Sequence, residues 1–293
     1  MSSQSWKRAA REYFHGNVDE SMLSVRTMKI VQMIASKIME IDSSIDEGAA
    51  VKMAVDVLEK AGVKVKAMEK KKEKKSDEDS IPESQALFFM SNKQASNLAV
   101  LAIGGNYDKK AVEEALNKGH GIDIALFGRM VADNPLLNAD ASAQVAHAIS
   151  THRVENEYDY FTAVDEKSPE DNAGAGMIGT VEFNSSTLYR YATVAVHDLA
   201  RQLDDKGTTA MAVKEFVRSF VLSMPTGKQN TFATRSVPYA VFIALRRDQP
   251  VSLAPAFESP VQPERSNGGY NPESVAAMVG CEQEFRRDFI EPP

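Results

Sequence analysis

The sequence contains one cysteine, Cys281, and one tryptophan among 293 residues. A single cysteine excludes an internal disulfide framework and any zinc ribbon built from several cysteines. No stretch approaches the roughly 18 consecutive apolar residues of a membrane-spanning helix, and residues 1–14 lack the apolar centre of a signal peptide. We therefore expect a soluble protein of a reducing compartment, the cytoplasm, without a membrane partner.

Apolar residues make up 43% of the sequence and charged residues 26%, which excludes a disordered or collagen-like chain. The formal net charge of −7 hides a gradient along the chain. Residues 1–75 carry 15 Lys and Arg against 11 Asp and Glu, whereas the rest of the chain carries 19 against 30. Positive potential is therefore expected at one end of the fold, and the acidic average is compatible with a local basic groove.

The N-terminal segment is predicted to form a short basic helix. A serine N-cap within 2–5 leads into a helix over 6–14, with Lys7, Arg8 and Arg11 on its first turns. Cations at this end oppose the helix macrodipole, whereas a bound phosphate would meet both the free N–H groups and the cations. The pattern fits a phosphate-binding helix and, equally, a solvated basic helix.

Helical spacing of apolar residues continues through the next part of the chain. It predicts an amphipathic helix over 20–40 and another over 47–61 that stops at Gly62. The lysine run at 64–75 and the acidic residues at 76–80 indicate a solvated insertion, with direct RNA contact as the alternative.

Beyond Pro82 the pattern alternates between strand and helix signals without strict βαβ order, which indicates an α+β fold with a sheet covered on one face. The predicted strands are 86–90, 97–103, 122–127, 158–164, 180–183, 188–196 and 238–245. The predicted helices are 109–118, capped by Asp108, then 140–149, 208–224 and a last helix opened by Pro272.

Two glycine motifs do not meet the requirements of a nucleotide site. Residues 174–179 form a G-x-G-x-x-G, but a polar loop precedes them and an alternating segment follows, so they are interpreted as a hairpin tip. Gly227-Lys228 lacks the earlier glycine of a phosphate-binding loop and is followed by Gln229. We expect no cofactor.

The evidence for a set of catalytic residues is equally weak. His147 and His152 are five residues apart on a predicted helix, which does not let them share a metal easily. There is no G-x-S-x-G motif, and Cys281 has no candidate base nearby in sequence. A metal-dependent hydrolase using His147, His152 and Asp159 is the alternative hypothesis, and a module or fragment acting only in protein–protein contacts is another.

Three clusters are typical of single-stranded nucleic-acid binding. Aromatic and charged residues interleave at 158–161 and 188–191, and 227–231 offers one cation with several amide or hydroxyl groups. Cations hold the backbone of a single strand while aromatic or wedging side chains contact its bases. Ordinary strand packing is the alternative for each cluster taken alone.

Several segments together resemble one family and occur in its order, from residue 2 to about 260. They resemble the CasC family, the Cas-seven-type backbone subunits of the type I-E CRISPR Cascade complex. The segments are SSQSWKR at 2–8, GIDIALFGRM at 121–130, AHAISTHRV at 146–154, DYFTAVD at 159–165, GTVEF at 179–183, YRYA at 189–192 and GKQNT at 227–231.

The resemblance implies an RNA-recognition-motif-like (ferredoxin-like) palm with a helical finger insertion and a β-hairpin thumb. It assigns 1–20 to the first helix of the palm, 21–80 to the finger, 81–153 to the palm, 154–184 to the thumb and 185–293 to the palm with its Pro-rich stretch and C-terminal helix. The family has a strand and a basic loop before the Ser-Ser-Gln segment and continues past the last helix. This chain is thus expected to lack the first strand and to be short at both ends.

The resemblance also implies a function without catalysis. Copies of the family polymerise along one CRISPR RNA and hold its spacer for pairing with target DNA, and the thumb of one copy displaces a base beside its neighbour. The implied partners are CRISPR RNA, target DNA through the guide, other copies of the chain and other Cascade subunits. Phosphate contacts of this kind are independent of sequence, while guide pairing supplies specificity.

The same resemblance implies the site residues. Those expected to contact RNA are Ser3, Gln4, Lys7, Arg8, Arg11, Met130, Tyr160, Phe161, Thr162, Lys228 and Gln229. Among them Met130 is expected to wedge against bases and Tyr160, Phe161 and Thr162 to lie near the displaced base. The residues of a DNA-contact loop in the finger are Lys70, Lys71, Lys72, Lys74 and Lys75.

Overall fold

The computed structural model describes residues 1–66, 81–105, 107–131, 134–163, 166–167, 177–263 and 268–290. In this part of the chain, helices are mixed with short antiparallel strands that pair two by two, so the fold is α+β. The described strands do not join into one larger sheet. None of the described helices combines the length and the apolar character that a bilayer span requires.

The elements are numbered in chain order. The helices are α1 (Ser3–Phe14), α2 (Ile30–Ile41), α3 (Glu47–Lys60), α4 (Asn92–Gly104), α5 (Lys109–Asn117), α6 (Ile122–Phe127), α7 (Val196–Leu203), α8 (Lys206–Leu222), α9 (Gln229–Phe232) and α10 (Asn271–Phe285). The strands are β1 (Ser24–Thr27), β2 (Val65–Lys66), β3 (Glu83–Ser84), β4 (Phe88–Ser91), β5 (Ala143–Val145), β6 (Ile149–Ser150), β7 (Glu157–Ala163), β8 (Met177–Phe183), β9 (Leu188–Tyr189) and β10 (Ala192–Val194).

The chain divides into two compact units. The larger consists of Gln4–Val145 and Ala192–Val237, and the smaller of Met1–Ser3, Ala146–Tyr191 and Pro238–Pro293. Both units are therefore discontinuous in sequence.

The larger unit has a helical core in which α2 packs against α3 and α4. Two of these helices begin at a side-chain cap: Asp46 accepts from Ala49 N at α3, and Ser91 forms a capping box with Gln94 at α4, whereas Lys29 makes no such hydrogen bond at α2. Their apolar faces supply the fully buried side chains of this core, among them Ile30, Ile34, Ile38, Leu58 and Leu98.

A second apolar cluster of the larger unit joins α1, α6, α7 and α8. Its buried members include Phe14, Leu126, Leu199 and Phe216. The Phe127 ring lies 6.1 Å from the Phe14 ring and 6.0 Å from the Phe216 ring, centroid to centroid. This cluster holds one face of α1 against the fold, which leaves the opposite face for other contacts.

In the smaller unit, β7 and β8 form a regular antiparallel hairpin and β6 pairs with β9. Helix α10 is attached by polar contacts: Ser274 Oγ donates to Thr151 Oγ1 at 2.8 Å, and the Tyr270 ring stacks on His152 at 3.7 Å between centroids. Hydrogen bonding and ring stacking therefore connect this helix to the segment around residue 151.

Many predicted helices are confirmed, including 47–61, the Asp108-capped 109–118 and the last helix at Pro272. Other predictions are wrong. Residues 97–103 belong to α4 and 122–127 to α6, because a short run of buried apolar residues does not distinguish a buried helix from a strand. The helix predicted over 20–40 begins only at Ile30, since 24–27 pair with β4 as a strand.

Three further corrections concern pairing. Residues 140–149 form β5 and the start of β6 rather than a helix, so His147 and His152 do not share one. The strand predicted over 188–196 divides into β9 and β10, with α7 starting at Val196. Residues 238–245 form no strand with any described residue, because apolar alternation alone provides no hydrogen-bonding partner. Residues 239–245 are exposed, with Leu245 at 94%.

Asp123 is a buried carboxylate in the first turn of α6. Its Oδ1 accepts hydrogen bonds from Ser24 N and Ile124 N, each at 3.0 Å. Burial raises the pKa of Asp123 to about 6, against the opposing effects of these hydrogen bonds and of the Arg11 charge. The folded protein thus holds the Asp123 proton more tightly than the unfolded chain does.

This carboxylate makes stability depend on pH. Because the folded pKa is the higher one, the contribution of Asp123 is complete below about pH 3.8 and is lost as the pH rises through about 6. The loss amounts to roughly 3 kcal/mol. We expect Asp123→Asn, which retains the accepting oxygen, to gain stability relative to wild type by this amount between about pH 4 and about pH 7, measured by urea unfolding.

The exposed Asp56 offers a matched control, since Asp56→Asn removes the same charge from a solvated position. A stability difference for Asp123→Asn that does not change with pH would contradict the raised pKa.

Candidate nucleic-acid interface

Helix α1 presents one polar face and one buried face. Gln4 and Arg8 are exposed and Lys7 and Arg11 half-buried, and these four positions lie on one side of the helix at spacings of three and four residues. The opposite side is buried and consists of Trp6, Ala9, Ala10 and Phe14. The basic face predicted from the sequence therefore exists.

The cations of this face differ in their partners. Arg8 Nε lies 2.7 Å from Glu12 Oε1, one turn along the helix, so its charge is already paired. Lys7 has no ion pair with a described residue. Ser3 is only 9% exposed and its backbone N–H donates to His147 Nδ1 at 3.0 Å. Lys7 is thus the cation of the first two turns that is available to a ligand.

Arg11 lies beside an aromatic ring that it shares with a second arginine. Arg11 Cζ is 5.3 Å and Arg26 Cζ 5.0 Å from the Phe89 ring centroid. Sequence reasoning missed Arg26, because its relation to Arg11 comes from the β1–β4 register, in which Arg26 is opposite Phe89.

Met130 is 87% exposed, which is unusual for a long apolar side chain. It lines a small cavity with Leu87, itself exposed, and with Phe88 and Val131. The preceding Gly128 has φ of +78°, and a Cβ there would lie 2.9 Å from Ala139 O, so glycine is required for this turn. Met130, which is predicted to wedge against RNA bases, therefore lies at the surface.

The residue between them, Arg129, is buried and fixes this turn. Its guanidinium donates to the backbone oxygens of Leu137, Leu116 and Phe89 at 2.9, 3.1 and 3.3 Å. It also lies 5.3 Å from the Phe88 ring centroid. Burial lowers the pKa of Arg129 to about 10, so the group remains charged at neutral pH. Arg129 is a positioning residue for Met130.

Lys228 and Gln229 lie at the start of the short helix α9. Lys228 is exposed and has φ of +60°, a left-handed conformation that favours glycine. With its amide oxygen turned towards Arg235, Gln229 accepts from Arg235 Nε at 2.7 Å and Nη2 at 2.6 Å. Arg235 is a second cation of this group that the sequence motif did not reveal.

The β7–β8 hairpin carries the remaining predicted residues and is exposed along all of β7. Its register pairs Tyr160 with Thr180, Phe161 with Gly179 and Thr162 with Ile178. Because successive strand residues point to opposite faces, Tyr160 and Thr162 lie on one face and Phe161 on the other. The three residues therefore do not act on one side of the hairpin.

Phe161 is held by its cross-strand partner. A Cβ on Gly179 would lie 2.4 Å from Phe161 Cζ, so the ring covers the glycine and would have to move to admit a larger residue. The other face exposes Tyr158 at 63% and Tyr160 at 68%, beside the exposed Ile178. The hairpin presents aromatic and apolar side chains to its surroundings.

The aromatic–basic cluster at 188–191 is used for packing instead. Tyr189 OH accepts from Leu253 N at 2.9 Å, and its ring lies 5.2 Å from the Phe257 ring. Burial lowers the pKa of Arg190 to about 10. The strand-packing interpretation of this cluster fits the structure.

The predicted DNA-contact lysines 70–72, 74 and 75 lie outside the described residues, as do positions 174–176 of the glycine motif. Among described residues, no three His, Cys, Asp or Glu side chains are arranged to hold a metal ion. His152 Nε2 accepts from Thr187 N at 3.1 Å and its Nδ1 lies 2.7 Å from Arg153 O. The alternative site built from His147, His152 and Asp159 thus gains no support.

A model of the CT1975-like protein family matches residues 1–293. The chain belongs to the CT1975-like protein family. Among curated proteins no match was found.

Solved structures also resemble this member of the CT1975-like family. A chain of a "CRISPR RNA-guided surveillance complex, pre-nicking" is 31% identical, with a TM-score of 0.74 over 98% of this chain and 79% of that one. A chain of a "CRISPR RNA-guided surveillance complex" is 27% identical, with a TM-score of 0.63 over 99% of this chain and 78% of that one. The similarity therefore covers both compact units.

Proposed function

We propose that this protein is a non-catalytic backbone subunit of a type I-E CRISPR Cascade complex that acts in antiviral defence in the cytoplasm. Copies of the chain polymerise along one CRISPR RNA and hold it for pairing with target DNA, beside the other Cascade subunits. The observation that carries the proposal is the 31% identity, over 98% of this chain, to a chain of a CRISPR RNA-guided surveillance complex.

The finer assignment to type I-E is supported by the ordered motif segments, from SSQSWKR at 2–8 to GKQNT at 227–231. On the same resemblance we assign an RNA-recognition-motif-like palm, a finger that contains α2 and α3, and a thumb formed by β7 and β8. The assignment gives the chain no catalytic step.

The exposed hairpin supports assembly. A two-stranded hairpin is at best marginally stable in water unless further strands or another surface cover it. The β7–β8 hairpin is seven residue pairs long and exposes Tyr158, Tyr160 and Ile178 on one face. A neighbouring copy on the same RNA provides the missing cover for these side chains.

The available cations support RNA binding. Lys7 has no ion pair with a described residue, and Lys228 is exposed at a position with a left-handed backbone. Phosphate contacts by lysine are point-charge contacts that do not read sequence, and they make affinity depend on salt. Such contacts suit a subunit whose guide RNA changes while the protein does not.

Removing both lysines tests the proposal. We expect Lys7→Ala combined with Lys228→Gly to weaken binding of a guide-length single-stranded RNA and to reduce the salt slope by about 1.4, since each phosphate contact on a single strand contributes about 0.7. Glycine is chosen at 228 because it adopts a φ of +60° without strain. Fluorescence anisotropy from about 50 to about 300 mM salt measures both quantities.

The matched control removes two exposed lysines elsewhere, Lys52→Ala with Lys110→Ala, and so changes the net charge equally. This control should retain nearly the wild-type slope. Wild-type protein whose RNA affinity did not change over the salt range would refute the proposed function.

A further inference from the structure

Two arginines of the larger unit converge on one buried ring. Phe89 of β4 is 4% exposed, and the guanidinium carbons of Arg11 from α1 and Arg26 from β1 lie 5.3 and 5.0 Å from its centroid. Arg26 is the strand partner of Phe89, so the β1–β4 ladder determines its position. The ring therefore holds two cations that come from segments distant in sequence.

Among the described residues, the two guanidinium groups have charged neighbours but no ion-pair partner. Burial and the Arg26 charge lower the pKa of Arg11, and Arg8 adds to this, while Asp123 and Glu12 act in the opposite direction. Glu12 is already paired with Arg8. Asp123 Oδ1 accepts from two backbone N–H groups, and its buried Oδ2 has no hydrogen-bond partner among the described residues. Neither Arg11 nor Arg26 forms an ion pair within the part of the chain that the structure describes.

Such a pair is suited to one anion. Like charges brought together repel each other, and an anion that contacts both removes this repulsion and gains two charge-assisted contacts. Guanidinium groups match the geometry of a phosphate and stack on aromatic rings, so Phe89 holds both side chains before a ligand arrives. Arg26 is exposed and Arg11 half-buried, which leaves the pair open to solvent.

We infer that Arg26 and Arg11, held on the Phe89 ring, bind a single phosphodiester group of the guide RNA. This inference rests on the proposed function and adds to it a residue, Arg26, that neither the motif segments nor the α1 basic face contains. The site is independent of base identity, because its donors recognise only phosphate oxygens.

The test compares arginine variants in the full-length protein. We expect Arg26→Gln to weaken binding of a labelled guide-length single-stranded RNA about 5- to 20-fold near 0.1 M salt and to reduce the salt slope by about 0.7. Arg11→Gln should behave similarly. The double variant should lose less than the product of the two single effects, since both groups hold one phosphate.

Two further variants and an uncharged ligand distinguish phosphate binding from a structural role of Arg26. Arg247→Gln removes an exposed arginine of the smaller unit and should change neither affinity nor slope appreciably. A morpholino strand of the same sequence has an uncharged backbone, so wild type and Arg26→Gln should bind it equally. Arg26→Lys keeps the charge without the planar fork and should lie between Arg26→Gln and wild type.

Three outcomes would overturn the inference, and one of them would also overturn the proposed function. If wild type binds RNA with the expected salt slope but Arg26→Gln and Arg26→Lys match Arg247→Gln, the inference is wrong and the proposed function stands. If wild type does not bind the RNA strand, both fail. An Arg26→Gln variant with lowered thermal stability and an unchanged salt slope would identify the arginine as structural and also overturn the inference.

Discussion

Replacing residues 157–183 by a two-residue Gly-Ser turn is expected to yield a folded protein that no longer forms regular assemblies on RNA. Glu157 and Phe183 are register partners at the base of the hairpin, so their flanking residues are close enough for a two-residue loop. All of β7 is exposed, so its loss should change the free energy of unfolding by only about 1 kcal/mol. Electron microscopy and sedimentation with a guide-length RNA measure the assembly.

A milder variant tests the exposed aromatic face while it keeps the hairpin. Tyr158→Ser with Tyr160→Ser keeps the ladder and the Phe161–Gly179 contact but removes the exposed aromatic face. We expect shorter and irregular assemblies from this variant, whereas Glu182→Gln should assemble as wild type does. Regular filaments from the protein without the hairpin would show that the thumb assignment is wrong.

Arg129→Met is expected to destabilise the larger unit by about 3–5 kcal/mol. The backbone oxygens of Leu137, Leu116 and Phe89 would each lose the guanidinium as a donor, although Leu116 O would keep its hydrogen bond from Gln94 Nε2. A buried acceptor left without a partner costs about 1–3 kcal/mol before relaxation. Methionine fills much of the volume, so the effect reports hydrogen bonding rather than a cavity. Urea unfolding of the purified protein gives the value.

The control for this variant is Arg247→Met, at an exposed position, which should stay within about 0.5 kcal/mol of wild type. If Arg129→Met does not accumulate as folded protein, Arg129→Lys retains the charge with fewer donors and should lose about 1–3 kcal/mol. An Arg129→Met protein as stable as wild type would contradict the contribution of these hydrogen bonds to stability.

The sequence predicted those features that depend on neighbouring residues. The helix at 47–60 follows from Asp46 and a repeating apolar face, and α5 follows from its Asp108 cap. The two strands of the hairpin follow from alternation, whereas residues 177–179 of the glycine motif, predicted as part of a hairpin tip, belong to β8, where Gly179 is opposite Phe161. In each case the deciding contact lies within a few turns or across one hairpin.

The functional prediction depended on ordered motifs rather than on any single residue. The family match and the similarity to a chain of a CRISPR RNA-guided surveillance complex support the predicted relationship to such complexes. The contacts of Lys7, Met130, Tyr160 and Lys228 with RNA stay predictions. The structure adds that Met130 and Lys228 are exposed and that Phe161 faces away from Tyr160. Surface exposure and strand face are properties that a motif does not contain.

The sequence alone determined the basic first helix, the capped helices, the hairpin and the family resemblance, because periodicity and capping are local. Only the tertiary structure decided that 97–103 is helical, that 238–245 remains unpaired among described residues and that Arg129 is buried among backbone oxygens. It also placed Arg26 and Arg11 on Phe89. These outcomes depend on partners far along the chain, and burial and strand pairing with such partners outweigh local propensity.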